Sequence, residues 1–108
     1  MSSQNFFQNI PFRLKEELLE TLVSTSGTRI ERIISRGQAT PAGQWLIQDQ
    51  AEWVMVLKGR AVLRFKGKRK IRAMHPGDYL LIPAGTAHRV EETAAEEPTI
   101  WLAVHYRT

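Results

Sequence analysis

The sequence predicts an all-β barrel or sandwich preceded by one N-terminal amphipathic helix. Three observations carry that expectation. From Thr28 onward, short runs rich in Val, Ile, Trp and Tyr recur between Gly- and Pro-containing turns, at the spacing of about 8 to 12 residues that marks a closed or two-layered β fold. Within one such run, Ala61, Leu63 and Phe65 alternate with Arg60, Val62 and Arg64, so one face is apolar and the other mostly basic. Ahead of them, Leu14, Leu18 and Leu22 recur every four residues, with Arg13, Lys15, Glu16, Glu17 and Glu20 between, a helical period.

Taken in order, residues 1–10 carry no pattern and are expected to form a loosely held arm. Pro11 suits a first helical position, and the Ser24–Gly27 cluster suits a helix stop, so the helix is placed at 11–25. Residues 28–107 form the barrel. Arg29–Ile34 is a strand candidate with partial alternation, and Thr40-Pro41-Ala42-Gly43 is a turn. Trp45–Gln50 is a short strand candidate, and Glu52–Leu57 is a stronger one. Lys58-Gly59 connects tightly to the alternating run, Gly67-Lys68 turns a hairpin, and Lys70–Ala73 returns. Pro76-Gly77 makes a turn before the apolar run Tyr79–Ile82. Pro83 cannot donate to a ladder and Gly85 tolerates a positive φ, so the chain turns again before His88. An acidic loop, Glu91–Pro98, precedes a last strand at Thr99–Tyr106.

The chain of 108 residues suits one domain, 1–108, and its 43% hydrophobic and 24% charged residues are those of a folded globular protein rather than a disordered one. With no cysteine there is no disulfide framework, thiolate zinc site or cysteine nucleophile, which suits a cytoplasmic location. The first residues lack the pattern of a secretory signal, and no apolar run approaches the roughly 20 residues that span a bilayer. No Gly-x-Ser-x-Gly elbow and no Gly-rich phosphate loop occurs. The net charge of +4 is uneven. Basic residues crowd between Lys58 and Arg72, and Glu91, Glu92, Glu96 and Glu97 form an acidic patch.

Gly77, Pro83, Gly85 and His88 have the spacing Gly-x5-Pro-x-Gly-x2-His, and Glu52 is followed after six residues by Gly59. In these two halves, which span about half of the chain, the sequence resembles the cupin superfamily. Trp45, Gln48, Glu52-Trp53-Val54 and the run Ile100-Trp101-Leu102-Ala103-Val104 resemble short bacterial single-domain cupins most closely. The resemblance implies a double-stranded β-helix (a cupin or jelly-roll barrel), often paired into homodimers, and it brings no particular reaction with it. It also implies a metal site of three histidines and a glutamate. The positions six and four residues before Glu52, where two of those histidines would stand, hold Leu46 and Gln48.

Gln48, Glu52 and His88 are therefore the candidate site residues, converging if the face of Gln48, Gln50, Glu52 and Val54 points inward. Two readings are open. In the first, the barrel binds a small molecule and these side chains satisfy one another by hydrogen bonds. In the second, they ligate one divalent ion (Zn, Fe, Mn or Ni) in an oxygenase- or isomerase-type enzyme, with Gln standing for a His. Enzymatic activity is left open between them, and no catalytic residue is assigned. His105, in register with Trp101 and Ala103, either lines the same cavity or is a partly exposed strand-end histidine. Trp45 is a candidate aromatic wall for the ligand, against the default of core or dimer packing for Trp45, Trp53 and Trp101. His75, in a turn, is a surface residue. A third and weaker reading takes the basic 58–72 hairpin as a nucleic-acid or protein-interaction surface, although no aromatic residue lies on its basic face for base stacking.

Overall fold

A computed structural model describes all 108 residues. It contains eight strands: β1 (Leu18–Ser24), β2 (Thr28–Ser35), β3 (Ala51–Lys58), β4 (Ala61–Phe65), β5 (Ile71–Met74), β6 (Tyr79–Ile82), β7 (His88–Thr93) and β8 (Thr99–Tyr106). They form a five-stranded sheet in the order β1-β2-β8-β3-β6 and a three-stranded sheet in the order β5-β4-β7. Every pairing is antiparallel. The all-β expectation holds.

The expected helix at 11–25 does not. The chain forms no helix anywhere, and Leu18–Ser24 is the edge strand β1, paired with β2 from Leu18↔Ile34 to Ser24↔Arg29. Leucines four apart fit a helical stripe, but pairing with Arg29–Ile34 of β2, interrupted only by a register shift at Leu22, overrides the local period. The supposed helix stop is a hairpin turn. Thr25 N–H donates to Thr28 O at 2.8 Å, and Thr25 Oγ1 accepts from the N–H groups of Gly27 and Thr28. The strand expected at Trp45–Gln50 is likewise reduced to one bridge, Leu46↔His88. The arm of residues 1–10 has no regular structure. It is tied down at Phe6 and Gln8, whose carbonyls accept from the buried Arg32 guanidinium at 2.8 and 2.7 Å.

The core lies between the two sheets, where Ile33, Val54, Val56, Ala61, Leu63, Met74, Ile82, Trp101 and Ala103 form one buried cluster. Burying a side chain such as Leu63 stabilises the fold by about 1.5–3 kcal/mol. The Trp101 indole N–H donates to Ser35 Oγ at 3.2 Å, and Ser35 Oγ donates to Glu17 Oε2 at 2.6 Å, so the polar handle of this core aromatic is satisfied. The basic hairpin is partly neutralised by its own neighbours: Arg60 pairs with Glu92 at 3.3 Å and Arg64 with Glu91 at 3.1 Å.

Three backbone junctions set the positions of β6, β7 and the loop before β3. Gly77 N–H donates to Val56 O at 2.8 Å, hooking the β5–β6 turn onto β3. Gly85 takes φ of 76°, and its N–H donates to Gln48 O at 2.7 Å. Leu46 and His88 exchange both backbone hydrogen bonds, at 2.7 and 3.0 Å. The second motif thereby holds the segment that carries Gln48.

Gly59 supports the tightest turn. Its φ is +88°, and a Cβ there would lie 2.5 Å from Thr99 Oγ1 and 2.6 Å from Thr99 Cα. Thr99 cannot retreat, because it is fully buried and its hydroxyl exchanges hydrogen bonds with the Arg60 backbone at 3.1 and 3.2 Å. Gly59→Ala is expected to cost about 3 kcal/mol or more in denaturant melts. Gly67→Ala, at φ +79° in open space, should cost about 1 kcal/mol.

Candidate functional site

Residues opposite one another in a ladder share a face, so register decides which side chains meet. On β8, Trp101, Ala103 and His105 alternate inward. His105 is paired with Arg29 on β2 and with Glu52 on β3, and Ala103 with Glu31 and Val54. Glu52 is in turn paired with Ile82 on β6. From the facing sheet, Leu63 on β4 and Val90 on β7 oppose each other, and His88 begins β7. These side chains line a cavity of about 240 Å³, whose lining also includes Glu17, Leu19, Arg29 and Leu46. Its wall is apolar at Ile33, Val54, Leu63, Ile82, Val90 and Trp101, and its one polar flank consists of Glu31, Gln48, Glu52, His88 and His105.

The flank is an ordered set. His105 Nε2–H donates to Glu31 Oε1 at 2.9 Å, and its Nδ1 lies 3.2 Å from Gln48 Oε1. His88 Nδ1–H donates to Thr86 O at 2.9 Å, and its Nε2 faces Glu52, 3.9 Å from Oε1. Glu52 Oε2 lies 3.9 Å from His105 Nε2 on the other side. Glu31, Glu52, His88 and His105 are all buried, at 3–7% exposure. Burial pushes the Glu52 carboxyl above its ordinary 4.5; His105, His88 and a hydrogen bond from Gln48 pull the other way, and Glu31 adds to the rise.

The donor set does not fit the metal arrangement that the cupin resemblance implies. Leu46 and Gln48 stand in the first-motif histidine positions. Gln48 Oε1 faces His105, whose Nε2 is engaged by Glu31. No group of three His, Cys, Asp or Glu side chains is placed to hold an ion. The flank satisfies itself through hydrogen bonds and imidazole–carboxylate contacts.

Gln48, Glu52 and His88 do come together, as their spacing implies, and His105 joins them. His105 is a fully interior residue, not a partly exposed strand end, because β8 is the central strand of its sheet and is flanked along its whole length. Trp45 does not line the cavity. It lies outside, with Lys66 Nζ and the Arg89 guanidinium about 6 Å from its ring (5.9 and 6.0 Å). Trp53 leans on Tyr79 at 5.3 Å between centroids, and Trp101 is core. His75 is exposed beside Asp78.

Glu31 is the residue that sequence reading missed. One signal was there: in Arg29–Ile34, strict alternation puts Glu31 on the same face as Ile33, an acid where a core residue belongs. Its partner lies 74 residues away, so only the β2–β8 pairing reveals the dyad.

The cupin domain family matches residues 36–105 of the chain. A crystal structure of a protein from Ralstonia eutropha JMP134, provisionally assigned as a mannose-6-phosphate isomerase, is 44% identical and superposes with a TM-score of 0.96 over 100% of both chains. A cupin superfamily protein from Desulfitobacterium hafniense DCB-2 is 18% identical, with a TM-score of 0.74 over 92% of this chain and 84% of its own. An RmlC-like cupin from Methanocaldococcus jannaschii with a double-stranded β-helix fold is 16% identical, with a TM-score of 0.70 over 91% and 86%. No curated protein matches.

The environment of Glu52 has a consequence for stability. Its proton is held more tightly in the folded protein than in the unfolded chain, so its contribution is greatest at low pH and is lost as pH rises through 4.5 toward the raised folded value. The variant Glu52→Gln keeps the shape and lacks that loss. Denaturant melts from about pH 4 to about pH 7 should show the stability difference moving in favour of Glu52→Gln as pH rises. A pH-independent difference would contradict the assignment.

Proposed function

The chain belongs to the cupin family, and from that premise we propose that it binds a small, uncharged organic molecule in the barrel. The observation that supports this most is the cavity itself: an apolar wall with one hydrogen-bonding flank, the general form of a small-molecule site. Its volume of 240 Å³ corresponds to about eight waters of liquid and falls below the roughly 300–1,000 Å³ of sites for drug-sized ligands. The ligand is therefore of metabolite size.

Charge supports the uncharged class. Three carboxyl groups line the cavity, Glu17, Glu31 and Glu52, against one guanidinium, Arg29. Arg29 Nε is already paired with Glu31 at 3.0 Å. An anion entering this space would meet three carboxyl groups and a single guanidinium already shared with Glu31, a poor exchange for its hydration. The assignment given to the Ralstonia protein names a phosphorylated sugar. In this chain a phosphate would have only Arg29 to bind, and a sugar would face the apolar wall of Ile33, Val54, Leu63 and Ile82.

The test is a titration of the full chain with neutral, anionic and cationic compounds of metabolite size, followed by the methyl NMR signals of Val54, Leu63 and Ile82. Neutral compounds are expected to give saturable shifts and, at a hundredfold excess over Kd, about 2.7 kcal/mol of added stability. Val54→Phe, which fills the cavity from its floor, should abolish both effects. Preferential binding of anions would contradict the reading.

A further inference from the structure

The two faces of the large sheet meet different surroundings. Its inner face carries the core and the cavity, and its outer face is left partly open to solvent. We propose that this outer face is the contact of a two-fold symmetric dimer, covered by a second copy of the chain. The contact is independent of what the cavity binds.

The register assembles the face. Val23 on β1 is paired with Ile30 on β2, Ile30 with Val104 on β8, Val104 with Trp53 on β3, and Trp53 with Leu81 on β6. Paired residues share a face, and successive residues alternate. The chain neighbours Glu31, His105, Glu52 and Ile82 line the cavity, so the paired row points away from it. An unbroken apolar row thus crosses all five strands. The next row is Glu20, Arg32, Leu102, Met55 and Tyr79. Its two charges pair with each other at 2.6 Å, and the Phe6 and Gln8 carbonyls cap Arg32. No apolar residue of either row is buried: Tyr79 is 64% exposed, Leu81 49% and Val23 46%, and the others are half-buried.

An antiparallel sheet with a solvated outer face ordinarily carries polar residues there. The small sheet of this chain does so. Arg64 on β4 lies between Arg89 on β7 and Ile71 on β5, with Glu91 on both guanidiniums at 3.1 and 3.0 Å. The large sheet does not, and a continuous exposed apolar patch marks a surface that is covered by a partner. Aromatic residues and Met are the side chains that interfaces concentrate. Trp53 and Tyr79, with ring centroids 5.3 Å apart, supply them at the β3–β6 end.

Area and shape point to a second copy as the cover. Five strands about 4.8 Å apart, up to 8 residues long at about 3.3 Å each, make a face of roughly 500 Å². Two such faces bury about 1,000 Å², the size at which a specific interface begins. Val104 stands in the middle of the apolar row, on the central strand β8. A two-fold axis there sets the bulky half of one copy, Trp53 and Leu81, on the slim half of the other, Val23 and Ile30, so the row complements itself. With a net charge of +4 on each chain, two copies meet most favourably through a face without net charge. Both edges of the sheet are poor alternatives. β1 carries a register shift between Thr21 and Val23, and β6 is only 4 residues long.

The experiment is sedimentation velocity of the untagged full chain from low to high micromolar concentration. A species of twice the 12.4 kDa of one chain is expected. Val104→Lys puts a charge at the centre of the contact and should weaken the dimer about 100-fold or more. Ile71→Lys, on the outer face of the small sheet and 46% exposed, should leave it unchanged. If Val104→Lys does not fold, Tyr79→Lys and Leu81→Lys, at largely exposed positions, carry the test. A monomer at every concentration would overturn the proposal, including a monomer whose outer face captures a different protein. A dimer that all three lysine variants of this face leave intact, or growth into open-ended oligomers, would overturn the two-fold contact.

Discussion

The interaction on which the site depends is the buried hydrogen bond from His105 Nε2–H to Glu31, 2.9 Å long, between β8 and β2. A carboxylate and an imidazole this far from solvent are costly alone and tolerable together. The bond fixes the His105 ring, points its Nδ1 edge at Gln48 and removes its Nε2 from the pool of metal donors. It also ties down the carboxylate nearest to Glu52, leaving the Glu52 carboxyl between two imidazoles that do not reach it. The flank is therefore divided into a directly bonded pair, Glu31 and His105, and a looser pair, Glu52 and His88, with Gln48 against both His105 and Glu52.

That division is a product of topology. β8 is the middle strand of its sheet, and its register sets Arg29 on one side of His105 and Glu52 on the other. The glycine turns complete the arrangement from the opposite direction. Gly85 holds the Gln48 carbonyl, and the Leu46–His88 bridge fixes where β7 begins. Leu46 and Gln48 stand where the implied metal site would have histidines, and Glu31 and His105 bond to each other. The donors of the flank satisfy one another, and the rest of the cavity keeps an apolar wall.

The barrel was legible because its signals are local. The spacing from Gly77 to His88, the alternation in Ala61–Phe65 and the turn glycines each lie within a dozen residues, and each took the predicted form. Gln48, Glu52 and His88 were legible for the same reason. The N-terminal helix was misread because the four-residue spacing of the leucines is a local signal, and the non-local pairing of β1 with β2 overrides it. Glu31, and its role as the partner of His105, were hidden because that pairing exists only across a ladder that joins the two ends of the chain. Trp45 was misplaced because its short segment forms a single bridge, so the side-chain alternation assumed for a strand does not apply there.

The most direct measurement of the central claim is the ring ¹⁵N spectrum of His105 in the untagged, chelator-treated full chain, with and without stoichiometric Zn²⁺. The account predicts a proton on Nε2, hydrogen-bonded to Glu31, in both samples, and loss of that signal in Glu31→Gln. A His105 Nε2 that loses its proton and shifts stoichiometrically with Zn²⁺ would contradict it, and would return the site to the metal chemistry of its family.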